Sequence, residues 1–93
     1  MIRNYKCRET EKIWRGEVSL RLPREIQAIA RRKLRMINNS ILLDDLRIPP
    51  PNRLEALKGD RKGQHSIRIN DQWRICFVWR APDVGDVEIV DYH

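Results

Sequence analysis

Three consecutive prolines, Pro49-Pro50-Pro51, divide this 93-residue chain into two halves written in different codes. Proline fixes φ and removes the backbone donor, so such a run enters neither a helix interior nor a central strand. The stretch "IPPPN" is therefore expected to be a stiff, extended connector. Before it the apolar residues repeat at helical spacing. Ile26, Ile29, Ala30, Leu34 and Ile37 line one stripe, predicting a helix that opens at Leu22-Pro23-Arg24 and stops at Asn38-Asn39-Ser40. Lys33 is the one charge on that stripe, and its ammonium is expected to snorkel to water. A shorter helix is expected over 8–17, with Thr10 or Glu9 near its start, and a short strand over 1–7. A further turn over 40–47 takes Ser40 as its N-cap.

After the prolines the pattern alternates. Strands are expected over 52–58, 65–69, 73–80 and 87–92, with loops over 59–64, 70–72 and 81–86. Helices followed by an antiparallel meander define an α+β class. Two to three N-terminal helices pack on one face of a twisted, mainly antiparallel sheet, in one domain over 1–93. No run of about 18 apolar residues exists, which argues against a membrane partner. The N-terminus lacks the apolar core of a signal peptide, pointing to the cytoplasm. Cys7 and Cys76 are far apart and read as reduced thiols; with only His65 and His93 besides, no metal-ligand cluster forms. Lys and Arg outnumber Asp and Glu by 19 to 13, a net +6, which favours a polyanionic partner.

Strand parity sharpens this. If Asn70-Asp71-Gln72 is a hairpin loop, Ile69 faces Trp73 and Ile67 faces Ile75, on a core side that Phe77 and Trp79 continue. His65 shares that parity and reads as structural. The opposite face then sets Arg68 against Arg74 and Ser66 against Cys76. Two opposed guanidiniums repel, so an anion is expected between them. Pairing Phe77 with Ile89 sets Arg74 opposite Tyr92, giving a row Arg68–Arg74–Tyr92 on the helix-free face. Asp91 and His93 point the other way at the sheet's edge. The loop "KGDRKG" adds Lys58, Arg61 and Lys62 beside Gly59 and Gly63, as part of a phosphate cradle.

That inventory suits metal-free RNA cleavage. A base takes the ribose 2′-OH proton, an acid protonates the departing 5′ oxygen, and cations neutralise the phosphoryl oxygens. His93 carries an imidazole, the side chain suited to both proton roles, Tyr92 stacks on a base or shares the proton, and Glu55 is a further carboxylate within the set. On the longer helix, Arg24, Arg31, Arg32 and Arg35 offer a basic face to an RNA backbone.

The segment "NRLEALKGDRKGQHSIRINDQWRICFVW" and the ending "VEIVDYH" resemble the HigB-type toxins, the host-inhibition-of-growth or plasmid-killer family of the RelE/ParE superfamily. The resemblance spans nearly the whole chain and is strongest over 49–93. It implies a RelE-like fold and the toxin of a type II toxin-antitoxin system. It implies an endonuclease that enters the 30S ribosomal A site and cuts bound mRNA there, without a cofactor. It implies a helix-turn-helix antitoxin of the HigA type, and operator DNA met only through the toxin–antitoxin complex. The family's terminal Asp-Tyr-His falls on Asp91, Tyr92 and His93, its loop lysine on Lys58, and its sheet arginine on Arg74. Where some relatives carry a catalytic histidine this chain has Glu55, which leaves either Glu55 or His93 as the base. The alternatives are a non-enzymatic toxin of the gyrase-poisoning kind and a plain RNA-binding module. The second has few aromatics left for a stacking platform, because Trp73, Phe77 and Trp79 fall at core parity.

Overall fold

The computed structural model describes residues 1–91; Tyr92 and His93 lie outside the described residues. Helix α1 covers Arg8–Trp14. Its N-cap is Cys7, not Glu9 or Thr10: the thiol accepts from the Thr10 amide and touches Thr10 Oγ1 at 2.9 Å. Gly16, at φ 83, takes the left-handed conformation that ends the helix three residues before its expected limit.

Helix α2 covers Arg24–Asn39 and buries Ile26, Ala30, Leu34 and Ile37. Lys33 does not snorkel. It is only 8% exposed, and its ammonium donates to the side-chain oxygen of fully buried Asn52. Burial, helped by the nearby charge of Arg32, lowers its pKa. Ser40 closes α2 instead of opening the next turn, its hydroxyl donating to the Ile37 carbonyl at 2.7 Å. The following 3-10 turn, Leu43–Arg47, is capped by Asp45, whose carboxylate accepts from the Ile41 and Leu42 amides at 2.9 Å each. These bonds hold its pKa below the usual range. The proline run is extended only at Pro49, since Pro50–Asn52 coils into a second 3-10 turn.

The sheet is antiparallel in the order β1-β2-β3-β4, with β1 Glu55–Ala56, β2 His65–Arg68, β3 Trp73–Arg80 and β4 Asp83–Asp91. β1 is far shorter than 52–58 because Asn52 is coiled and Arg53 is left-handed, at φ 47. The β2–β3 register is as expected: Arg68 opposes Arg74, Ile67 opposes Ile75 and Ser66 opposes Cys76. The β3–β4 register is not. The expected loop over 81–86 shrinks to a turn at Ala81-Pro82, because Arg80 already pairs with Asp83. Ile75 then opposes Ile89, Cys76 opposes Glu88, and Arg74 opposes Val90, not Tyr92.

The cause lies in β4 itself. Val84, Val87 and Ile89 are all buried, yet 84 and 87 have opposite parity. One extra residue must be absorbed between them, and the register shifts opposite Cys76/Val78. Asp86 absorbs it in the left-handed region at φ 51. Asn4 braces it, accepting from the Asp86 amide at 3.1 Å and donating to its carboxylate at 2.8 Å.

Residues 1–7 form no regular strand. They run beside β4 through isolated parallel bridges, Ile2 to Val84 and Tyr5 to Val87. Thr10 Oγ1 then accepts from the Ile89 amide at 2.9 Å, so the outer edge of β4 is occupied, not open to another chain. Both helices cover one sheet face, where Ile13, Ile26, Leu34 and Ile37 meet Ile67, Ile75, Phe77, Val87 and Ile89. Burying each such side chain contributes about 1.5–3 kcal/mol. Among the described residues no helix is long and apolar enough to cross a membrane.

Candidate nucleic-acid interface

The opposed pair Arg68 and Arg74 sits on the other face, and its repulsion is relieved by divergence. Arg68 turns into the hairpin and ion-pairs with Asp71. Arg74 lies back along the sheet. Its Nε donates to Ser66 Oγ at 2.7 Å and its Nη2 to the Arg53 carbonyl at 2.6 Å, with Glu55 Oε1 3.5 Å away. Arg74 is thus buried at 8% exposure, where an open surface row was expected. It is not beneath the helices: fully buried Ser66, the Arg53 backbone and Glu55 cover it.

Between the two arginines opens a cleft of about 320 Å³ lined by Arg53, Arg68, Asn70, Asp71 and Arg74. Three guanidiniums against one carboxylate in its lining create a positive potential that low-dielectric walls focus. Asn70 fixes the hairpin rim by accepting from the amides of Gln72 and Trp73 at 2.8 Å each.

The remaining expected residues divide. Glu55 is brought to Arg74. Asp91 pairs with Trp73 across β3–β4 and accepts from Gln72 Nε2 at 3.0 Å. Asp91 thus lies at the hairpin end of the sheet, the end that carries Arg68 and Arg74. Tyr92 and His93 themselves lie outside the described residues. Lys58 is exposed just before the 3-10 turn Gly59–Arg61, and Lys62 is exposed just after it. Gly59 and Gly63 are left-handed at φ 62 and 94, and a Cβ on either would meet open space. Arg61 does not reach outward from this loop. It bonds Gln64 at 3.1 Å and Glu88 at 3.3 Å, across the face that buries Cys76. That burial pushes the Cys76 thiol pKa up.

The α2 arginines do not form one face with the cleft. Arg24 and Arg31 line a separate hollow of about 250 Å³ between the helices, with Ile13, Gly16 and Gln27. The Arg31 guanidinium lies so close to Gly16 that a Cβ there would meet Nη2 at 3.0 Å. Arg32 and Arg35 are exposed. His65 stacks on Phe77, with 6.3 Å between centroids, which fits its structural reading. Sequence reasoning missed Arg53. Its only signal was its place right after the proline run, where a strand was expected.

Comparisons with known proteins bear on the family and the fold. Residues 6–93 match the model of a family described as the RelE-like toxin of the type II toxin-antitoxin system HigB. The chain is 39% identical over 80 residues to Toxin HigB-1 of Vibrio cholerae, which covers 85% of this chain and 84% of that one. It is 33% identical over 72 residues to an uncharacterized protein of Haemophilus influenzae, covering 77% and 71%. Its fold is similar to the crystal structure of YafQ from Escherichia coli, with a TM-score of 0.65 over 98% of this chain and 91% of the other. At 13% identity that likeness speaks for the fold alone. Two helices on a four-stranded antiparallel sheet thus define a RelE-like toxin fold. The chain belongs to the HigB-like family of type II toxin-antitoxin toxins, a class that implies an antitoxin partner.

Proposed function

We propose that this toxin is a ribosome-dependent endoribonuclease that cuts mRNA held in the 30S A site. The observation that carries the reading is the cationic cleft, with Arg68 and Arg74 directly opposed at its wall and β4 reaching Asp91, opposite Trp73, at the same end of the sheet. The 2′-OH of the substrate ribose attacks the adjacent phosphorus while the P–O5′ bond breaks, leaving a cyclic phosphate and a 5′-hydroxyl. The phosphoryl charge that develops is met by Arg68 and Arg74, with Lys58 and Lys62 at the loop. His93 serves as the acid that protonates O5′. Glu55, 3.5 Å from Arg74, takes the 2′-OH proton. Tyr92 stacks on a base, and Asp91 orients the terminal residues from its hold on Gln72.

Free protein is expected to cleave poorly. So few groups need the ribosome to hold the RNA in line, a proximity effect. Arg32 and Arg35, with Arg24 and Arg31 behind them, supply contacts to rRNA backbone, and Arg61 steadies the loop. The whole of 1–93 acts as one toxin domain in the cytoplasm. A helix-turn-helix antitoxin of the HigA type neutralises it, and the complex binds operator DNA. Incubating the protein with mRNA, with and without programmed ribosomes, tests this by primer extension. New 5′ ends only with ribosomes, lost on deleting His93, support the reading. No ends in either sample, or full cleavage by the deletion, refutes it or the role of His93 respectively.

A further inference from the structure

Among the described residues, one guanidinium of the cleft has no carboxylate to answer its charge. Arg68 is matched by Asp71, Arg74 by Glu55, and Arg61, deeper on the same face, by Glu88. Arg53 lines the same cleft, is exposed, and has no carboxylate within ion-pair distance among the described residues. Its backbone is also the most constrained near the site. A side-chain-bearing residue at φ 47, ψ 56 sits in a sparsely populated region that persists only where the surroundings impose it.

Those surroundings are visible. Asn52, fully buried, donates to the Leu46 and Ile48 carbonyls at 3.1 and 3.4 Å and accepts from Lys33. The residue before Arg53 is thereby anchored. The left-handed step then directs the Arg53 carbonyl to Arg74 Nη2 and leaves its side chain lining the cleft. One residue so fixes one guanidinium with its backbone and presents a second with its side chain.

We propose that Arg53 binds a phosphodiester of the RNA strand, next to the one held between Arg68 and Arg74. The proposal rests on the reading of the cleft as an RNA site and adds a contact to it. An arginine matches a phosphate with two parallel N–H donors. Arg53 costs least of the three to engage, since among the described residues no carboxylate must first be displaced from it.

The test uses the full chain and a short single-stranded 2′-O-methyl oligoribonucleotide, in which the attacking hydroxyl is blocked, so that binding is read without turnover. Arg53→Gly and Arg53→Asn both accept a left-handed backbone and both keep the carbonyl that Arg74 uses. Each is expected to bind on the order of tenfold more weakly at low salt, while the slope of log affinity against log salt falls by about 0.7. Arg53→Lys is expected to keep the slope. Unchanged affinity and slope in either folded variant overturn the proposal, as does no measurable binding by the unsubstituted chain at low salt. Ribosomal cleavage is scored separately. Weakened binding in the variants without cleavage by the parent keeps the contact and refutes the nuclease reading, and unchanged binding with cleavage does the reverse.

Discussion

Replacing Asn52 by alanine should disturb both the fold and the cleft. Asn52 joins its own 3-10 turn to two other elements: it accepts from the Lys33 ammonium of α2 and donates to the carbonyls of Leu46, in the 3-10 turn Leu43–Arg47, and of Ile48 just after it. A hydrogen bond to a charged group is worth about 1.5–3 kcal/mol and a neutral one about 0.5–1.5. The three together come to roughly 2.5–6 kcal/mol on that scale. Alanine would also leave a buried ammonium without its acceptor, at a further cost. A chain of this length has only about 5–14 kcal/mol of stability in all. The thermal midpoint should fall by at least about 10 °C, taking about 4 °C per kcal/mol for a domain of this size. Lys33→Met, which leaves only one amide oxygen unsatisfied, should cost less than half as much. The double variant should fall short of additivity by about 1–3 kcal/mol, the signature of a shared interaction. Thermal and urea unfolding of the four proteins measures the cycle. If Asn52→Ala loses under about 1 kcal/mol, less than one charged hydrogen bond, or if the two effects simply add, the buried node is not what holds this segment.

Three further outcomes follow from particular groups. Burial, reinforced by the charge of Glu11, pushes the Tyr5 phenol up to about 12 from 10.0. The folded chain holds that proton more tightly than the unfolded one, so this stability is intact below pH 10.0 and lost as pH rises towards about 12; Tyr5→Phe should flatten the alkaline limb of a denaturation profile. Asp71→Asn removes the carboxylate that occupies Arg68, and oligoribonucleotide affinity should rise about threefold, as expected for an exposed ion pair worth under 1 kcal/mol; a fall in affinity would mean that Asp71 organises the site. Cys76, fully buried with its thiol pKa raised by that burial, should resist alkylation at pH 8 in the native state and react on unfolding, as mass spectrometry would show.

Much of this architecture is legible in the residues. The helical stripe from Ile26 to Ile37 and the alternation in β2 and β3 carry strong periodic signals, and they place the helices, the β2–β3 register and the Arg68–Arg74 opposition. The β3–β4 register is not legible for a specific reason. Sliding a strand by two residues keeps every side chain on its face, so pairing Ile89 with Phe77 or with Ile75 satisfies the same pattern. The choice is made by the turn at Ala81-Pro82 and by the extra residue absorbed at Asp86, which local polar bonds to Asn4 stabilise. Arg74 was placed on the correct face but with the wrong exposure. Parity reports direction, whereas burial depends on what else folds over that face, here the left-handed step at Arg53. Lys33 shows the same limit: its position on the apolar stripe was plain, but its acceptor lies 19 residues away in a segment without periodicity.

The cleft on the helix-free face is the part of this account on which the rest depends, and Arg68 probes it most cleanly. Its side chain bonds Asp71 on the exposed hairpin, so Arg68→Gln should leave the thermal midpoint nearly unchanged. The decisive measurement is the single-turnover rate of mRNA cleavage on programmed ribosomes for the parent and this variant. The expected result is a loss of about 10²–10³ in rate, the usual effect of removing one preorganised charge from a developing phosphoryl anion. A variant that cuts as fast as the parent would place the chemistry elsewhere on the molecule.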